Sequence, residues 1–227
     1  TESAATALVE KYMRELIDAP YTAPREFAAQ RFDVGYGEFI RDYEQSEISV
    51  AYPSVALGDD RAATLSALDC ILGNGMSSRL FQRLREKMGL VYSVYTSPWI
   101  GRTNGVFSVC ANVNVVNVKA TVEAIANEID LMIKNGVTDE ETEKAKTQLK
   151  VTALFGKENP MNYMLALMRR RVMLGTDYDL DDLLARIEAV DTDGINRLAR
   201  EIFGAKATFA YAGKTPQAAI DKIFYGR

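Results

Sequence analysis

The sequence predicts an α+β domain, an antiparallel-rich mixed sheet with helices packed on one face. Three observations predict it. Short segments of apolar/polar alternation cluster in the first half, amphipathic segments at helical spacing fill most of the second, and one strand-like segment returns near the end. That order is expected when helices segregate to one side of a sheet. At 227 residues the chain is long enough to bury roughly three quarters of its unfolded surface. A full core is then possible without disulfides or metal.

Taken in order, about 4–17 reads as a helix because Leu8, Tyr12 and Leu16 recur at helical spacing. Pro20 and Pro24 mark a break. Residues 32–43 alternate irregularly around Gly35 and Gly37, and Ile48, Val50 and Tyr52 make a better strand that Pro53 is expected to stop. An Ala/Leu-rich helix spans 61–72 and ends at Gly73. Ser77 or Ser78 can cap a second helix running through Leu80, Phe81 and Leu84 to about Met88. Gly89 sits where a left-handed helix terminus is expected, and Leu90–Tyr95 leaves as a strand of β-branched and aromatic residues. Asn104-Gly105 signals a hairpin turn into Val106–Val113, where one face is fully apolar and the other mixed.

In the second half, Val118, Val122, Ile125, Ile129 and Met132 form one helical stripe. Thr138-Asp-Glu-Glu141 is a capping box opening a helix to about Leu154. Asn159-Pro160 starts the next helix, which runs to Gly175, and 179–190 and 193–203 read as two shorter ones. Lys206–Tyr211 is the late strand, and Thr215-Pro216 begins a final helix. The expected organisation is a single domain over 1–227, with 1–18 a candidate last helix of a preceding domain and 19–28 a linker.

Composition narrows the chemistry. Hydrophobic residues at 48% and charged residues at 26% match an ordinary globular protein. The 27 Lys+Arg against 31 Asp+Glu give a net charge of −4, so no nucleic-acid partner is expected. No apolar run approaches the ~20 residues of a membrane helix, and no membrane partner is expected. No signal peptide is legible, and a first residue other than Met suggests a processed or excised segment. There is no histidine. That removes Ser-His-Asp and Cys-His catalysis and the usual imidazole zinc sites. Cys70 and Cys110 cannot complete a thiolate tetrad, and both sit in apolar surroundings that predict buried, inert thiols.

Several motifs have bland readings that suffice. Gly73-Asn-Gly75-Met-Ser-Ser-Arg79 lacks the Gly-Lys-Ser/Thr ending of a phosphate loop and reads as a tight turn into a helix. Asp177 to Glu188 nearly matches a calcium loop, but Asp182 stands where the sharp turn requires Gly. Acidic residues opening a helix explain it. Arg169-Arg170-Arg171 point about 100° apart on a helix and form no single anion site. Met161, Met164 and Met168 read as core filling.

The segment Ser77–Tyr95 is different. Arg85 lies in the last turn of a predicted helix, Gly89 turns the chain, and Tyr92 lies on the departing strand. This helix-turn-strand can bring a guanidinium and a phenol to one rim, and two donors aimed at one point suit an oxyanion or the carbonyls of an extended peptide.

Gly-Met-Ser-Ser-Arg-Leu-Phe-Gln-x-Leu-Arg-Glu-Lys-x-Gly-Leu-x-Tyr-Ser-Val, over 75–94, resembles the C-terminal-type domain of the pitrilysin/insulinase zinc metallopeptidases, closest to the bacterial processing-peptidase-like branch. The strand 47–53, the helix 61–72, the helix start at 137–146 and the strand ending Ala212-Gly213-Lys214 resemble the family as well, so nearly the whole chain is covered. In that family an inverted His-x-x-Glu-His helix and a distal Glu hold the zinc in a different domain, where metal and Glu activate water. The resemblance therefore implies that this chain is the non-zinc half, with no cofactor of its own. Zn2+ is expected in a partner domain or subunit, in cis or in trans. It also implies that Arg85 and Tyr92 are the catalytic and substrate-binding residues, reaching toward a peptide substrate and its tetrahedral intermediate. The alternatives are a structural or assembly domain of the same fold, as in the core subunits of respiratory complexes, and a module that binds peptide at a sheet edge without hydrolysis.

Overall fold

A computed structural model describes residues 1–18, 31–215, 217, 220 and 222–225. The linker expected over 19–28, with Pro20 and Pro24, and the Pro216 start of the last helix lie outside the described residues. The first half runs α1 (Glu2–Ile17), β1 (Tyr36–Ile40), β2 (Ser46–Ser54), α2 (Ala62–Leu72), a π-helical segment (Phe81–Lys87), β3 (Val91–Ile100) and β4 (Gly105–Val113). The second half runs α3 (Val118–Asn135), α4 (Asp139–Glu158), α5 (Pro160–Leu174), α6 (Leu180–Glu188), α7 (Thr192–Gly204), β5 (Thr208–Gly213) and α8 (Lys222–Tyr225).

Among the described residues the strands form one five-stranded sheet in the order β1-β5-β2-β4-β3. Only β1 and β5 pair parallel, and the other neighbours are antiparallel. The fold is the α+β, antiparallel-rich mixed sheet that the segment order predicts. Its inner face carries Ile48 and Val50 of β2, Phe107 and Val109 of β4, and Phe209 and Tyr211 of β5, all buried. The predicted stripe of α3, from Val118 to Met132, is buried as well. Leu65 and Leu68 of α2 and Ile195 and Leu198 of α7 complete one continuous core.

Differences from the sequence reading have local causes. Pro53 does not stop β2; it keeps its register opposite Val106. The β2–β5 ladder ends at Ala51, so Pro53 is paired on one side only and its missing N–H breaks no bond to β5. β3 runs past Tyr95 to Ile100 and tolerates Pro98 because it is an edge strand. The glycine of Asn104-Gly105 does not supply a left-handed turn, since its φ is not among the positive ones. A Cβ there would stand 2.0 Å from the Val55 carbonyl oxygen, so close backbone approach requires it.

The helix expected over 77–88 is π-helical, with the Met88 N–H bonding to the Arg83 carbonyl at 3.0 Å. Its start is not capped from Ser77 or Ser78 as expected: the Ser78 hydroxyl donates backward to the Gly75 carbonyl at 2.7 Å. Asp179 caps α6 by accepting from the Asp181 and Asp182 N–H groups, which is the helix-start reading of the acidic run. The three arginines diverge as expected, Arg169 to the Ile100 carbonyl, Arg170 to Thr176 and Arg171 to Asp177. Met161, Met164 and Met168 are not core; they are exposed along α5.

Candidate functional site

The residues of interest sit where the π-helical segment hands over to β3. Two buttresses fix that segment. Before it, the Arg79 guanidinium donates twice to the Glu141 carboxylate, both at 2.7 Å, and once to the Gly136 carbonyl at 2.9 Å. Within it, Arg83 pairs with the buried Glu128 of α3 at 3.3 Å. Leu80 and Leu84 are fully buried beneath it. At its end Gly89 adopts φ +60°, as a left-handed terminus requires, and the Leu90 N–H bonds to the Leu84 carbonyl at 2.9 Å.

Tyr92 is then aimed by a β-bulge. Val91 pairs with Val113 and Ser93 with Asn112, so Tyr92 is the extra residue on its strand. A bulge of this kind re-aims a side chain. Val91 and Val94 both face the core while Tyr92 is 69% exposed. The Arg85 guanidinium carbon lies 5.9 Å from the Tyr92 ring centre and 5.1 Å from that of Phe81. The structure thus brings Arg85 and Tyr92 together on one surface, with Phe81 as a second ring under the cation. Arg61, Arg79, Arg83 and Arg186 are each committed to carboxylates. Among the described residues no hydrogen bond or ion pair engages the Arg85 guanidinium or the Tyr92 hydroxyl, so their donors stay available.

Tyr92 opens onto the outer face of the sheet. A depression of about 660 Å³ is lined by Tyr92, Phe39, Tyr43, Glu47, Asn112 and Ala212, among others. It shares Phe39, Glu47, Asn112 and Ala212 with a second of about 410 Å³ over Tyr95, Cys110, Ser49 and Ala210. The floor is made of mostly short side chains, with Tyr95 and Glu47 among them, in cross-strand rows Tyr95–Cys110–Ser49–Ala210 and Ser93–Asn112–Glu47–Ala212. The Asn112 amide donates to Ser93 at 3.0 Å. Among the described residues, Glu38, Glu44 and Glu47 line the two depressions and no lysine or arginine does. Of the residues with polar or aromatic chemistry here, Phe81 and the groove lining were missed in the sequence. The one available signal was the Val91-x-x-Val94 spacing, which fits no simple alternation and marks the bulge.

The cysteines separate. Cys70 is buried, and burial, helped by the neighbouring Asp69 charge, pushes its thiol up to about 12. Cys110 departs from the expected burial: it is half-buried on the groove floor, 3.7 Å from the Ser49 hydroxyl. The Tyr95 phenol opposite is raised above its ordinary value, first by Cys110 and then by burial.

The model of the peptidase M16 inactive domain matches residues 1–149. The chain belongs to this family. An uncharacterized zinc protease of Streptomyces coelicolor is 33% identical over 173 residues, which cover 76% of this chain and 38% of the relative. One from Bacillus subtilis is 28% identical over 72% of this chain and 40% of the relative. The chain therefore spans about two fifths of the length of these relatives. Among solved structures, the peptidase M16 inactive domain from Pseudomonas fluorescens aligns at a TM-score of 0.73 with 21% identity, over 95% of this chain and 52% of that one. A Helicobacter pylori protease aligns at 0.80 with 19% identity, over 94% and 52%. A chain of complex III2 from Candida albicans aligns at 0.75 with 13% identity, over 93% and 55%. At these identities the structures share the fold. This M16 domain is thus an inactive-type domain of zinc-protease-like proteins. Among the described residues no group of three His, Cys, Asp or Glu side chains could hold a metal ion.

Proposed function

We propose that this chain is the non-zinc half of a clam-shell M16 endopeptidase, inactive alone and completed by a zinc-bearing domain or subunit. The observation that carries the reading is the meeting of Arg85 and Tyr92, with uncommitted donors, at the end of an open groove. The groove accepts an extended peptide over its floor of Ser, Ala and Asn side chains. The Arg85 guanidinium and the Tyr92 hydroxyl donate to the peptide carbonyl as negative charge grows on its oxygen. Donors fixed before the reaction favour that charge over the neutral ground state. Phe81 and the bulge fix them here. All metal chemistry belongs to the partner half.

The relatives' description as zinc proteases supports this reading. The alternative, a structural domain, draws on the fold's presence in a chain of complex III2. That reading expects Arg85 and Tyr92 in fixed buried contacts, whereas Tyr92 is 69% exposed. The test mixes this chain with the zinc-bearing half and follows cleavage of an unfolded peptide. Tyr92→Phe and Arg85→Ala are each expected to lower kcat/KM by about 10²-fold, the scale of one lost oxyanion donor. Turnover within about twofold of wild type, a shift of only ~0.4 kcal/mol, overturns the assigned roles.

A further inference from the structure

Besides the exposed stripe of α1, two surfaces of this domain lack cover, and they differ in chemistry. The outer sheet face is concave and floored by Ser, Asn, Glu and small residues. The other surface is the α4–α5 hairpin, two consecutive helices joined through Asn159 and in contact with each other, where large apolar side chains face solvent. On α5 the exposed residues Met161, Met164, Leu165 and Met168 recur at i, i+3, i+4 and i+7, the spacing of a stripe built for burial. Leu154 and Phe155 continue it on α4, and Phe155 is 64% exposed. At about half exposure each, the group presents several hundred Å², more than monomers usually leave bare and approaching the ~800 Å² that each partner gives to a standard interface. Beside it, a cleft of about 550 Å³ opens among the hairpin, α2 and α6, lined by Ala63, Leu149, Ala153, Leu174, Leu183 and Ile187.

We infer that the α4–α5 hairpin is the seam on which the zinc-bearing half packs. The inference rests on the two-half reading above and adds which face forms the joint. The occupant is set by size and chemistry. In its matched relatives the aligned part of this chain covers 38% to 40% of the length, so a large share of their polypeptide lies beyond it. Two halves that hold together permanently need an apolar joint, and it must lie off the polar groove where a peptide enters. The hairpin meets both demands. Methionines suit it because their unbranched side chains adapt to an uneven partner surface.

The experiment co-expresses this chain and the zinc-bearing half as two polypeptides and measures their association by sedimentation. Amide exchange locates the contact. The double variant Phe155→Asp/Met164→Asp is expected to bind at least 100-fold more weakly, with its melting curve alone unchanged because both side chains are exposed. Wild-type amides over 151–172 are expected to exchange more slowly in the complex. Arg85→Ala is expected to bind as wild type while turnover falls. If the double variant unfolds, the wild-type exchange pattern decides. Undiminished binding by a folded double variant, or protection confined to other segments, overturns the seam and leaves the two-half reading standing. Absence of any complex with wild type overturns both. A self-associated wild-type chain, held through the hairpin and not displaced by the zinc-bearing half, overturns it in favour of a second copy.

Discussion

Arg85 sits between two rings, 5.1 Å from the centre of Phe81 and 5.9 Å from that of Tyr92. A guanidinium over an aromatic face gains about 0.5–1 kcal/mol at an exposed site, so Phe81 acts as a positioning residue for the cation. In the assembled peptidase Phe81→Leu is expected to lower kcat about two- to fivefold with KM nearly unchanged, and Phe81→Tyr to restore it. Equal losses for both variants would reject the stacking account, because only the leucine removes the ring. The Arg85 and Tyr92 pair was legible because both residue types and their spacing lie in a single run of sequence. Phe81 was not, since a phenylalanine on a predicted helix reads first as core. The bulge was hidden for a related reason: strand alternation assumes a regular ladder, and one inserted residue turns its own side chain, and those after it, off that alternation.

The handover segment is held to the helical layer by Glu141, which serves two elements at once. Its carboxylate accepts both Arg79 bonds at 2.7 Å and the Thr138 N–H at 2.8 Å, closing the capping box of α4. Burial opposes its charge, but Arg79 and Thr138 outweigh that and hold the carboxyl below the ordinary 4.5. Stability from a lowered carboxyl is fully present above the unfolded value and is lost as pH falls through the folded one. Glu141→Gln is therefore expected to cost about 2 kcal/mol at pH 7, a cost that shrinks as pH falls below the ordinary 4.5 and through the lowered folded value. Denaturant unfolding at both pH values measures it, and a pH-independent difference would refute the charge account. The capping box was legible because it is a local pattern of four residues. The Arg79 tie spans 62 positions, and nothing in a single sequence reports so distant a contact. Pro53 misled for the same reason, its tolerance depending on where β5 stops pairing.

The sheet divides the molecule into a covered face and an open one, and the two thiols report on them. Cys70 is buried on α2 within the helical layer and Cys110 lies on the groove floor, so the native chain should titrate one thiol with a small aromatic disulfide and the unfolded chain two. Two rapid native reactions would mean that the helical layer opens. Segment order made this layering legible, because strands followed by a block of helices leave one face of the sheet uncovered. It did not show which helices remain unpaired, since an apolar stripe looks the same whether its partner is inside the domain or beyond it. Helix α1 poses that question most sharply. Leu8, Tyr12 and Leu16 recur as in a buried helix, yet they are 58%, 73% and 71% exposed, and among the described residues none of α1 joins the core cluster. We propose that α1 completes the core of the zinc-bearing half. Deleting residues 1–18 should then change the stability of this chain by less than about 0.5 kcal/mol, as for exposed sites remote from a core, and weaken its association with the zinc-bearing half at least tenfold. A loss of 2 kcal/mol or more in the chain alone would place that stripe against its own domain. An undiminished association would leave the helix with no role in the joint.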